Sequence, residues 1–247
     1  MAEAGWVINL ADSPARMEHA AQQLSNAGFE TRRVDGFDGR GMRLAEFKSY
    51  DDRHARRFMG RSMTAGELGC YESHIRALTA FVDSGDEVGL ILEDDFQFSG
   101  DGAAAIAETM SWLRANPIWH AINVGARRLK ITSPLTTLAS RSLLKAHYFP
   151  MLAHAMIWTR AGAQAFLAEA RPIFCPADNM YRHVLTRSGK GLVLNPRGAS
   201  AGAFDSDISA RSGGSRSTYG RSRLYGWRKQ KRLWTEKAIA ARHKYLG

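Results

Sequence analysis

Three consecutive acids, Glu93-Asp94-Asp95, follow the apolar run Val88-Gly89-Leu90-Ile91-Leu92. Carboxylates at the end of a buried strand are costly unless something binds them. In open α/β sheets, ligands sit at the carboxyl ends of strands. Strand alternation predicts Glu93 and Asp95 on one face, with Asp94 pointing elsewhere. Two such carboxylates suit a hard divalent cation, Mg²⁺ or Mn²⁺, which takes oxygen ligands and commonly substrate phosphates as well. A plain acidic turn satisfies the same pattern. A metalloprotease is excluded on motif, because no HExxH occurs.

Other residues join this one. Thr64-Ala65-Gly66-Glu67 has the spacing of a capping box, and Glu67, Cys70 and His74 then form one helical stripe. That stripe is either a packing face or part of a ligand site. Asn9 and Arg16 follow the first strand, where nucleotide-binding α/β folds place base and phosphate contacts. Arg16 is suited to a bidentate phosphate contact, or is an ordinary surface arginine. Asp35, after the second strand, reads as a turn residue that could also meet a nucleoside.

The elements that must position these residues alternate. Trp6 to Leu10 and Phe29 to Val34 read as strands, with a helix opened by Ser13-Pro14 and closed by Gly28 between them. Residues 40–62 read as irregular or partly helical. A helix is predicted from the Thr64 cap to about Asp83, then the strand at Val88, a helix over 102–115 and a strand over 119–124. Residues 126–150 are basic and show no clear pattern. A strand over 152–158, helices over 161–170 and 178–187 and a strand over 192–194 complete the series. Such alternation predicts an α/β domain with a central, mostly parallel sheet flanked by helices.

The composition fits that fold, with 45% hydrophobic and 23% charged residues in 247. Two cysteines, Cys70 and Cys175, exclude a disulfide-rich scaffold and a CxxC metal site. The first residues carry neither a basic nor an apolar signal region, so a reducing, cytoplasmic setting is expected. The net charge is +10, but it is not spread evenly. Residues 211–247 hold 11 of the 34 Lys and Arg and one of the 24 Asp and Glu, leaving 23 of each sign in residues 1–210. The reading is a neutral catalytic body, 1–210, and a basic aromatic tail, 211–247. Arg and Lys interleaved with Trp227, Trp234, Tyr245 and Leu246 suit an anionic membrane surface. The body has no nucleic-acid motif, so no specific nucleic acid is expected as a partner.

Three blocks together resemble glycosyltransferase family 25, the lipooligosaccharide galactosyltransferase family that also includes collagen galactosyltransferase domains. They are Val7-Ile8-Asn9-Leu10 with Ser13 and Arg16, Met63 to His74, and Leu90 to Asp95. Pro176-Ala177-Asp178 matches a later segment more weakly. Glu72, His120 and Met156 depart from the family's usual residues. The resemblance implies a GT-A-like fold and inverting transfer of a hexose, galactose by preference, from a UDP-sugar to a hydroxyl of a glycan acceptor. It implies metal and diphosphate contacts from Glu93 and Asp95, with Mn²⁺ or Mg²⁺ as cofactor. Donor contacts are implied for Asn9, Arg16, Glu67, Ser73, His74 and Asp94. Inversion needs a base on the acceptor side, and Asp178 is the candidate, with a helix N-cap as the alternative role. Asp205 and Asp207 could supply a late metal contact. The family's acceptors imply lipid-linked glycans and a peripheral position on the inner membrane face.

Overall fold

A computed structural model describes residues 3–138, 141–202 and 221–246. Ten strands and seven α-helices form among these residues. β1 (Ala4–Asn9), α1 (Pro14–Asn26) and β2 (Glu30–Asp35) open the chain, followed by α2 (Asp52–Phe58) and α3 (Ala65–Ser84). β3 (Val88–Glu93), β4 (Phe96–Phe98), α4 (Gly102–Ala115), β5 (Ala121–Asn123), β6 (Lys130–Leu138) and β7 (Arg141–Tyr148) come next. β8 (Ala155–Thr159), α5 (Arg160–Glu169), α6 (Ala177–Ser188), β9 (Gly191–Asn195), β10 (Ala199–Ala201) and α7 (Tyr225–Tyr245) follow.

Eight strands make one sheet in the order β2-β1-β3-β8-β5-β9-β7-β6. β8 and β7 run against the other six, so the sheet is mostly parallel in direction. Its central strands are buried on both faces, which is why they read as unbroken apolar runs. Along β3, Leu90 and Leu92 pack into one core and Ile91 into the other. β8 alternates likewise, with Trp158 on the side of α3, α5 and α6, and Ile157 on the side of α1 and α4. β4 and β10 form a separate two-stranded ribbon.

Two parts differ from the sequence reading. The basic stretch 126–150 is not irregular: β6 and β7 pair as an antiparallel ribbon at the sheet edge. Pro134 sits at a register shift in the edge strand β6, where a missing N–H is tolerated. The second concerns the tail, whose fold the sequence leaves open: its end is a helix docked on the body. α7 packs against α2, α6, β6 and β7 and buries Glu236 and Ala240. No described helix is long and apolar enough to cross a membrane. The stretch 211–220 lies outside the described residues, as do Asp205 and Asp207.

Candidate active site

The strand order gathers chain segments that are far apart in sequence. In the register of β1 and β3, Ile8 lies opposite Glu93, so Asn9 arrives beside Asp94. The Asn9 Nδ2 donates to an Asp94 carboxylate oxygen at 2.7 Å and to the Ser13 carbonyl at 2.9 Å. Its Oδ1 accepts from Arg33 Nε at 3.1 Å. Arg16 lies 3.5 Å from the other Asp94 oxygen. On the opposite flank, β8 enters antiparallel, and the Glu93 amide donates to the His154 carbonyl at 2.9 Å. β5 ends at the same edge with Asn123.

The strand stops at Glu93, and Asp94-Asp95 form a turn into β4. Strand alternation therefore does not govern the three acids, contrary to the sequence expectation. The turn aims them separately. Glu93 is reached by His74 Nε2 at 3.2 Å. Asp94 is buried between Asn9 and Arg16. Asp95 has a buried Oδ1 with no hydrogen-bond partner. Its carboxyl is pushed up to about 6, by burial first and then by the charges of Glu93 and Asp94. An orphaned carboxylate oxygen next to a second carboxylate is what a divalent cation satisfies, so Glu93 and Asp95 fit such an ion. Cys70 Sγ, a His74 ring nitrogen and a Glu93 oxygen also lie within 4.8 Å of one another. That softer donor set suits Mg²⁺ or Mn²⁺ less well.

The block from Met63 to His74 does most of its work as scaffold. Thr64 and Glu67 form the capping box, and the Glu67 carboxylate also takes two bonds from buried Arg61, at 2.6 and 2.8 Å. Ser73 Oγ accepts from the Phe37 amide at 2.7 Å and donates to the Gly69 carbonyl at 2.8 Å. Gly69 faces the 37–39 loop so closely that a Cβ would come within 2.7 Å of the Gly39 nitrogen. The structure thus draws Asn9, Arg16, His74 and Asp94 to the acids, whereas Glu67 and Ser73 are committed to the fold around them. Asp35 ends β2 with an exposed side chain paired to Arg33 at 2.8 Å.

His74 is buried and bonded through both ring nitrogens, Nε2 to Glu93 and Nδ1 to the Tyr181 hydroxyl at 3.1 Å. A neutral ring with its proton on Nε2 donates to Glu93 and accepts from Tyr181, which satisfies all three groups. Tyr181 lies one turn past Asp178 on α6, so this bond ties α6 to the acids.

Asp178 stands in the first turn of α6, where the N-cap position belongs to Pro176. Its carboxylate instead accepts from the Ala153 amide at 3.2 Å. Burial raises its pKa, with the charge of Glu93 adding to the rise and His74 and the amides of Leu152 and Ala153 opposing it. Leu152 adopts a left-handed φ of 78°, rare for a leucine, and its carbonyl accepts from Asn123 Nδ2 at 2.8 Å. Backbone strain of this sort persists where surrounding bonds over-determine it, as at ligand sites. His154 is buried beside the acids with an unpartnered Nε2, and burial lowers its pKa.

The sequence alone does not single out Asn123, His154, Tyr181 or the segment 151–153. Asn123 and His154 stand at strand ends, which was the available signal. Two of the family departures have structural roles: Glu72 pairs with Arg171 at 2.7 Å, and Met156 receives Asn123 Nδ2 at its sulfur at 3.7 Å. His120 carries a ring whose pKa is lowered by burial.

The chain is 24% identical over 179 residues to procollagen galactosyltransferase 1 of Danio rerio, covering 70% of this chain and 30% of the relative. It is 28% identical over 149 residues to a glycosyltransferase 25 family member of Aedes aegypti, covering 58% and 24%. It is 28% identical over 174 residues to inactive glycosyltransferase 25 family member 3 of Homo sapiens, covering 66% and 28%. The chain thus spans under a third of the length of these relatives. A solved glycosyltransferase involved in glycosylation of the major capsid of PBCV-1 aligns with a TM-score of 0.44 and 10% identity, covering 95% of this chain and 100% of that one. The profile of glycosyltransferase family 25 (LPS biosynthesis protein) matches residues 3–181, and the chain belongs to that family.

Proposed function

We propose that this chain is an active, inverting glycosyltransferase of GT-A type that moves a hexose, galactose by preference, from a UDP-sugar to a glycan hydroxyl. The observation that carries this reading is the pairing of two unlike carboxylate environments at one sheet edge. Asp95 keeps a buried oxygen unpartnered beside Glu93, and Asp178 stands across from them on α6, held by backbone amides.

Glu93 and Asp95 would hold the divalent ion, Mn²⁺ or Mg²⁺, and Asp94 is fixed by Asn9 and Arg16 for contact with the donor. A bound divalent ion supplies Lewis-acid stabilisation of the charge on the departing diphosphate. Arg16 lies at the same corner for a phosphate contact. His74 orients Glu93, while Glu67 and Ser73 serve the donor side by placing α3 and the 37–39 loop. Asp178 takes the proton from the attacking acceptor hydroxyl, and a carboxylate whose pKa is raised by burial is a stronger base than an ordinary one. Inversion is a single displacement, so no covalent nucleophile is required of the chain.

UDP release measured across a panel of UDP-sugars with Mn²⁺ tests the reading. UDP-galactose is expected to give the fastest turnover, lost in EDTA. Asp178→Asn is expected to lower kcat by at least about a hundredfold while UDP still raises the melting temperature. Absence of both turnover and UDP binding across the panel overturns the reading.

The same reading extends to location. Trp227 and Trp234 on α7 remain 61% and 67% exposed, with Lys231 lying 5.2 Å from the ring centre of Trp227. This face suits the surface of an anionic membrane, where a lipid-linked acceptor would be met at the cytoplasmic side.

A further inference from the structure

A cleft of about 360 Å³ has Leu152 in its wall, one residue before the amide that bonds Asp178. Five of its lining residues are cations: Arg127, Arg128, Lys130, Arg182 and Lys237. Among the described residues, none of the five has a carboxylate within 4.0 Å. Charges of one sign gathered around one space repel each other, and the arrangement is relieved when an anion enters. Arg182 is also pre-set. Its Nε donates to the Phe149 carbonyl at 2.7 Å, its Nη1 donates to the Tyr148 hydroxyl at 3.2 Å, and its guanidinium lies 4.4 Å from the Tyr148 ring centre. A guanidinium held in this way loses little freedom on binding a phosphate.

The position of the cleft assigns its use. Leu152 lines it, and the amide of the next residue, Ala153, donates to Asp178. The segment at Leu152–Ala153 therefore joins one wall of the cleft to the carboxylate proposed as base. The far wall comes from α7, through Leu233 and Lys237. The basic tail thus contributes a wall to this cleft, a use that its charge alone did not reveal.

Resting on the transferase reading above, we infer that this cleft is the acceptor subsite and that it selects a phosphate-bearing glycan. The phosphate lies among the five cations, and the reacting hydroxyl of the glycan reaches over the 151–153 turn toward Asp178.

The test needs no turnover. The full chain is titrated with glucose 6-phosphate and with glucose at low salt, by isothermal titration and by melting shift. Glucose 6-phosphate is expected to bind at least about tenfold more tightly than glucose. The charge-removing double variant Arg128→Gln/Lys237→Gln is expected to lose that difference, and the charge-keeping variant Arg128→Lys/Lys237→Arg to retain it. UDP is expected to bind all three proteins alike and not to compete. Equal binding of the two sugars, or an unchanged preference in the Gln variant, overturns the inference. Competition by UDP also overturns it, since the cleft would then be holding the donor's diphosphate. Failure of UDP to bind at all bears on the donor reading and leaves the sugar-phosphate comparison intact.

Discussion

Asp95 is held in a state that suits binding better than stability. Its carboxyl titrates near 6 in the fold, against about 3.9 in an unfolded chain. The folded state therefore binds this proton more tightly, and the group's contribution to stability falls as pH rises from about 4 to about 6. Asp95→Asn is expected to stabilise the metal-free protein by ~1–2 kcal/mol at pH 7.5, after allowance for partial solvent access, and by nothing below about pH 4. Melting temperatures in EDTA across that range check the sign. The same variant is expected to abolish the melting shift that Mn²⁺ confers. A rise in stability together with loss of metal response separates a ligand from a residue that merely packs. At Glu67 the expectation is the reverse. Removing its carboxylate leaves Arg61 buried without its partner, so Glu67→Ala is expected to cost ~3 kcal/mol in urea denaturation.

At the scale of elements, α3 and the loop it carries form one device. Gly69→Ala would place a methyl 2.8 Å from the Phe37 carbonyl oxygen and 2.7 Å from the Gly39 nitrogen, both backbone atoms. The cost is expected to be about 1–3 kcal/mol of stability, read by urea denaturation, as the loop is forced off the helix. Such elements were legible in the sequence because their signals are local. The capping box predicted the start of α3, and the apolar run ending in acids predicted β3 within a residue. The β6–β7 ribbon was not legible: Pro134, Lys130 and Lys145 break the apolar pattern at an edge that needs none. The site itself was half legible. Glu93, Asp95 and Asp178 stood out by type. Their shared edge depends on strand pairing between residues 33 to 85 positions apart, and no local pattern encodes that. His154 and Asn123 acquire their roles only through that pairing.

For the whole molecule, the division into a neutral body and a cationic tail holds as bookkeeping of charge, and the fold changes its meaning. Arg232 lies 5.2 Å from the Phe58 ring centre, Arg228 donates to the Arg56 carbonyl at 2.6 Å, and Glu236 is buried near His183. α7 is thus bound to the body by one face and carries its exposed tryptophans on another. Trp227→Ser/Trp234→Ser is expected to change stability by less than about 0.5 kcal/mol while abolishing sedimentation with vesicles containing anionic lipid. Ending the chain before α7 is expected to lower the melting temperature as well, because the surfaces of α2, α6 and β7 lose their cover. Retained vesicle binding in the Trp double variant would remove α7 from any membrane role.

The cleft beside Asp178 has one wall at Arg127 and another at Lys237. A ribosome adds roughly 5–20 residues per second, so the second wall follows the first by about 5–20 s of synthesis. All strands of the main sheet are complete by Asn195, whereas α7, which closes the cleft through Leu233 and Lys237, is made last. A nascent chain therefore completes the strand edge that carries the acids before it completes the cleft, and a late truncation is expected to spare the first and leave the second open on one side.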